Sequence, residues 1–222
     1  MASPGLAPLQ WRILQILAAR QPGWTLVGGA ALVGFHLKHR TTRDLDLLWR
    51  DRSELGELPV AVAGSLRAEH LDVAAVQTSP AFHRFRVSDG GETCVVDLIA
   101  EPAPAIEAPA TIRVGASSIT VDTRHEILVG KLCALLGRSE IRDVQDVAAL
   151  LDAGGDLDRA LADAPRKDAG FSALTLAWVL KQLDLAALAA AAGVTPDAVE
   201  GLTAFRDRLA AHLLAFAHPG SD

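Results

Sequence analysis

Apolar residues fall at Leu6, Leu9, Ile13, Leu14, Ile16 and Leu17, the spacing of one helical face, and the run stops at Gln21-Pro22-Gly23. This predicts a helix over residues 6–19. A short strand is expected over 24–27, after which Gly28-Gly29 opens a second helix reaching to about residue 37. From Asp44 to Trp49 acidic and apolar residues alternate, which is strand periodicity. Further strands are expected over 73–77, 81–87 and 93–99. The last two flank Asp89-Gly90-Gly91, a hairpin signal because these residues tolerate positive φ. The proline-rich stretch 101–109 predicts a surface loop, and 112–121 one more hairpin around Gly115. From Arg124 onward the period turns helical, with helices expected over 124–137, 140–152, 156–163, 171–191 and 196–216. An α/β part over residues 1–123 followed by a helical subdomain over 124–222 is the predicted organisation.

Composition narrows the class. At 222 residues the chain suits one or two domains, and 50% hydrophobic with 22% charged residues fits a folded globular protein. A net charge of −6 excludes a polycationic nucleic-acid binder, so any such contact must come from a local basic patch. Cys94 and Cys133 form no disulfide framework and lack metal-type spacing. They read as two buried thiols in a reducing compartment. Residues 1–10 lack the charge and apolar run of a signal peptide. The longest apolar run, Leu185 to Val194, is about half of what a membrane span requires. A cytoplasmic protein without a membrane partner is expected.

The candidate chemistry lies in carboxylates. Along a strand side chains alternate, so Asp44 and Asp46 share one face while Leu45, Leu47 and Trp49 share the other. Two carboxylates about 7 Å apart at their Cα atoms repel unless a cation sits between them. A hard divalent ion suits that place because it takes oxygen ligands. Asp97 interrupts the apolar strand Val95-Val96-Asp97-Leu98-Ile99, where an acid is expensive unless paired or metal-bound. If the two strands are neighbours, Asp97 completes a three-carboxylate cluster. Such a cluster can hold two ions about 3.5–4 Å apart, the arrangement that stabilises entering and leaving oxygens in phosphoryl transfer. Gly28-Gly29 stands at a strand-to-helix turn, where backbone N–H groups favour an anion. The same residues are also compatible with a solvated acidic face and with a glycine pair that serves the turn alone.

Taken together, Gly28-Gly29, the Arg40-Thr41-Thr42-Arg43 lead into Asp44-Leu45-Asp46, Asp97, and a helical Lys131 followed by Arg142-Asp143 resemble the AbiEii/AbiGii-type nucleotidyltransferase toxin family. The resemblance covers roughly residues 24–152 and implies a DNA-polymerase-β-like, mixed-sheet nucleotidyltransferase core. It implies Asp44, Asp46 and Asp97 as metal ligands for Mg²⁺ or Mn²⁺, with Asp97 also a base. Gly28, Gly29, Thr42, Arg43 and Lys131 would meet the nucleotide, with Lys131 also a catalytic residue, and Asp143 would be the late catalytic aspartate. Related transferases often place a small hydroxyl after the first glycine, where this chain has Gly29 and then Ala30. The implied partners are an NTP, an RNA acceptor (tRNA in some members) and a separately encoded antitoxin.

Packing or solvation alone could also account for several of these positions. Lys131 lies on an apolar helical stripe with Ile127 and Leu135, so its stem could pack while the ammonium reaches water. Helix 140–152 is expected to bury Ile141, Val144, Ala148 and Leu151, with Asp143 and Asp146 on an adjoining face and an Arg142–Asp146 surface pair as the simple alternative. The run His36 to Arg43 carries three formal positives and no acid, which suits a triphosphate or an RNA backbone. Phe82, Arg84 and Arg86 share a strand face that could stack on bases, or Phe82 could join the core. Residues 185–199 have a helix-turn-helix rhythm, but Asp197 and Glu200 at the second helix's start would repel phosphates. Two functional alternatives stand beside RNA modification: nucleotidylation of a small molecule such as an antibiotic, and a degenerate transferase fold kept for binding.

Overall fold

The computed structural model describes residues 5–21, 23–138 and 140–218. Pro22 of the expected Gln21-Pro22-Gly23 turn and residues 1–4 lie outside them. Two compact units follow one another along the chain, Met1–Thr123 and Arg124–Asp222.

In the first unit a seven-stranded mixed sheet runs in the order β3-β4-β5-β2-β1-β7-β6. Its strands are β1 (Thr25–Val27), β2 (Asp44–Arg50), β3 (Asp72–Thr78), β4 (Phe82–Asp89), β5 (Glu92–Glu101), β6 (Ala110–Val114) and β7 (Ser117–Val121). β2 with β5 and β1 with β7 are parallel, and the other pairs are antiparallel. The two expected hairpins form, and their turns use positive φ at Gly90, Gly91 and Gly115. One face of the central strands is the core: Leu45, Leu47 and Trp49 of β2, Cys94, Val96 and Leu98 of β5, and Phe85 and Val87 of β4 are all buried. The helices α1 (Pro8–Arg20) and α3 (Leu58–Ala68) pack against each other and onto the sheet. Arg12 ties α1 to the β4–β5 hairpin by pairing with Asp89 and to the end of α3 by donating to the Glu69 carbonyl.

In this unit two elements differ from the sequence pattern. α3 is not signalled by periodicity, since its Val, Ala and Gly residues give no clear polar face; Pro59 in its first turn is the one mark of its start. The helix opened by Gly28 is α2 (Gly28–Ala31), which continues as a π-helical turn over Leu32–His36, closed by Leu37 N–H donating to the Leu32 carbonyl. His36 Nε2 donates to the Asp122 carbonyl at 2.7 Å, fastening that turn to the end of β7.

The second unit is helical: α4 (Arg124–Gly137), α5 (Ile141–Asp152), α6 (Leu157–Lys167), α7 (Ala173–Gln182), α8 (Leu185–Ala192) and α9 (Pro196–Ala217). The single helix expected over 171–191 is in fact α7 and α8, because Asp184 leaves the helix and caps the second one through Ala187 N–H. Leu209, Ala210 and Leu213 of α9 are buried, and α9 packs along α7. Cys94 is buried as expected, whereas Cys133 is only half-buried. Burial pushes the two thiols up to about 12 and about 11 respectively. Among the described residues no single helix is long and apolar enough to cross a membrane.

Candidate active site

The face of the sheet opposite the core carries the acids. β2 and β5 are neighbours, and their register sets Asp46 directly beside Asp97. On the other flank Asp46 is opposite Val27, the residue before the glycine pair. β4 extends the same row, because Arg84 is opposite Asp97. A single line across the strands therefore reads Arg84, Asp97, Asp46, Val27. Asp44 lies two residues along the same face from Asp46, and both are half-buried. The alternation that sends these acids to one side sends Leu45 and Leu47 into the core, which fixes the strand's orientation.

Gly28 is required here twice over. Its φ is +62°, and a Cβ at this position would stand 2.6 Å from Asp46 Oδ2. The missing side chain lets the carboxylate lie against the turn. At Gly29 a Cβ would stand 2.9 Å from Arg40 Nη2 and 3.5 Å from Thr42 Oγ1. The space that a hydroxyl-bearing residue would occupy is thus shared by a guanidinium and the Thr42 hydroxyl. Thr42 is buried and its hydroxyl donates to Asp44 Oδ1. Arg43 is exposed, as are Lys38, His39 and Thr41 of the same basic segment.

Asp97 is 5% exposed and is held by Arg84 in a bidentate pair, Nε to Oδ1 at 2.8 Å and Nη2 to Oδ2 at 2.6 Å. These bonds hold the guanidinium above its usual range against its own burial, and the charges of Asp97, Asp46 and Asp44 add to the shift. Phe82 is half-buried on this face rather than in the core, with the Arg84 guanidinium 5.5 Å from its ring centre.

In the second unit Lys131 is 7% exposed, and its ammonium stands 2.7 Å from both Asp143 Oδ1 and Asp146 Oδ2. Arg138 joins Asp143 through Nε at 2.9 Å and Nη2 at 3.2 Å. Lys131 therefore reaches carboxylates, not water. Asp143 and Asp146 are buried, so a surface pair with Arg142 does not describe Asp146. The buried face of α5 is Ile141, Asp143, Val144, Asp146, Val147 and Leu150, whereas Ala148 and Leu151 are half-buried. Asp143 and Asp146, three residues apart, share the buried face of α5 and both meet Lys131.

The oxygen donors of Asp44 and Asp46 fit a hard divalent ion. Asp97, though aligned with them, is turned to Arg84, and among the described residues no three acidic, histidine or cysteine side chains are gathered as an ion-holding group. Sequence reasoning missed the Arg84–Asp97 pair, the Arg40 contact over Gly29, the Arg138–Asp143 pair and a buried pair between Arg50 Nη2 and Asp122 Oδ1 at 2.8 Å. The first was recoverable, since the Asp89-Gly90-Gly91 turn fixes the hairpin register.

Solved structures share this fold. The nucleotidyltransferase toxin MenT4 from Mycobacterium tuberculosis H37Rv aligns with a TM-score of 0.58 at 17% identity, over 94% of this chain and 85% of its own. JHP933 from Helicobacter pylori aligns with a TM-score of 0.53 at 17% identity, over 96% and 94%. At these identities the likeness is one of fold. No curated protein matches in sequence. The family model of the AbiEii nucleotidyl transferase toxins of type IV toxin–antitoxin systems matches residues 12–214, nearly the whole chain, and the protein belongs to that family of nucleotidyltransferases.

Proposed function

We propose that the chain is a metal-dependent nucleotidyltransferase that moves a nucleoside monophosphate from an NTP to an RNA acceptor, with tRNA the first substrate to test, and that an antitoxin protein restrains it. The observation that carries the metal-dependent part is the alignment of Asp46 with Asp97 across neighbouring strands, with Asp44 on the same face and Gly28 open against Asp46. RNA rather than a small molecule is favoured by the exposed basic segment that leads into Asp44.

Asp44 and Asp46 would hold the divalent ion, which when bound supplies positive charge to phosphate oxygens. The Gly28-Gly29 turn would offer backbone N–H groups to the triphosphate, with Thr42 beside it and the exposed Arg43 next in the chain. The acceptor oxygen attacks the α-phosphorus, the bond to the bridging oxygen breaks, and pyrophosphate leaves. The acceptor's proton goes to Asp97, which must first let go of Arg84. The resemblance also assigns Lys131 to the nucleotide and Asp143 as the late catalytic aspartate; the Lys131 ammonium spends two of its three N–H donors on Asp143 and Asp146. Positioning and charge neutralisation would supply most of the rate.

Thermal denaturation of wild type and Asp44→Ala, with Mn²⁺ or Mg²⁺ and each NTP, tests the site. A ligand that binds only the folded state raises the midpoint. The expected result is a rise with metal plus NTP in wild type that is lost in Asp44→Ala. No rise in either well-folded protein would favour a fold kept for binding.

A further inference from the structure

Three carboxylates on one sheet face repel one another, and the most buried of them already has a cation. Asp97 has a side-chain exposure of 7% and spends both oxygens on Arg84. Arg84 is not buried with it: its side chain is 40% exposed, and the guanidinium lies within reach of the half-buried Phe82 ring on the same face. Register places Arg84, Asp97 and Asp46 side by side on three adjacent strands. The guanidinium also feels the charges of Asp46 and Asp44. Parting Arg84 from Asp97 needs only side-chain rotation, since the backbone pairing that aligns Asp97 with Asp46 does not involve the guanidinium.

We propose that Arg84 is the resident counter-ion of the carboxylate site: it neutralises and orients Asp97 while no divalent ion is bound, and it competes with that ion for the carboxylate face. This rests on the assignment of Asp44 and Asp46 as ion-holding residues. The physical case is one of exchange. A buried carboxylate needs a partner, and a bidentate guanidinium is a strong one. An arriving divalent ion must then bear the cost of breaking that pair and of approaching a fixed positive charge. Arg84 is accordingly a positioning residue, not a catalytic one. It keeps the empty site folded at the expense of ion affinity.

The test is Mn²⁺ titration of the full chain without nucleotide, followed by the paramagnetic resonance signal of free Mn²⁺, for wild type, Arg84→Gln, Arg84→Ala and Asp44→Ala. The Arg84 variants should bind Mn²⁺ about tenfold more tightly or better, about 1.4 kcal/mol. Their metal-free melting midpoints should fall, and the gap from wild type should narrow at saturating Mn²⁺. If Arg84 only supports the fold, the midpoints fall while affinity is unchanged or weaker, and the proposal is overturned. Should the neutral variants not fold, Arg84→Lys carries the test, because it keeps the charge but loses the bidentate grip: tighter binding than wild type supports the proposal, equal or weaker binding overturns it. Asp44→Ala separates the two levels. Mn²⁺ binding that ignores Asp44, or that no variant shows, defeats the site assignment and the proposal together. Binding that needs Asp44 but is not tightened in the Arg84 variants defeats the proposal alone.

Discussion

Gly28 and Asp46 share a space too small for a methyl group, and that coupling makes Gly28 the most sensitive position in the turn. Gly28→Ala forces a left-handed φ on a residue with a Cβ, at a cost of about 1–2 kcal/mol, and drives the Asp46 carboxylate from its place. The expected outcome is a modest loss of stability in urea with a loss of Mn²⁺ affinity of about tenfold or more; retained affinity in the variant would show that Asp46 is not held by this contact. Asp44, Asp46 and Asp97 were legible as residues because strand alternation and the cost of an acid in an apolar strand mark them. The Arg84 partner of Asp97 follows only once the hairpin register is counted from its turn. Arg40 reaches Gly29 from the irregular lead before β2, and no periodicity encodes such a contact.

At the scale of elements, local pairings were readable and distant ones were not. Turn chemistry gave both hairpins, and with a fixed turn the β4–β5 register follows by counting. The parallel pairing of β2 with β5 joins segments far apart in sequence, and nothing local specifies it. The α7–α8 break was hidden because apolar residues continue through it, and only the capping Asp184 marks the new start. Between α4 and α5 the ion network of Lys131, Arg138, Asp143 and Asp146 is buried at its carboxylates. Removing the ammonium leaves two acids without their shared partner in a poorly solvated place. Lys131→Met should therefore lower unfolding stability by about 3–5 kcal/mol, measured by chemical denaturation. A variant of full stability that has lost only NTP affinity would instead make Lys131 a nucleotide ligand.

The chain folds as two compact units, Met1–Thr123 and Arg124–Asp222. Each unit carries its own polar cluster, one around the Asp44–Asp46–Asp97 face and one around Lys131. Family membership spans both units, since the match runs over residues 12–214. With a net charge of −6, any attraction to an RNA backbone has to come from a local basic patch, and the exposed cations before Asp44 form one. We propose that the β2 carboxylates support transfer of a nucleotide to RNA. The most direct test is incubation of the full chain with Mg²⁺, RNA and each α-radiolabelled NTP, wild type beside Asp46→Ala. The expected result is label on RNA with wild type, dependent on the metal, and none with Asp46→Ala. Equal labelling by both proteins, or none by a folded wild type with any NTP, would contradict it.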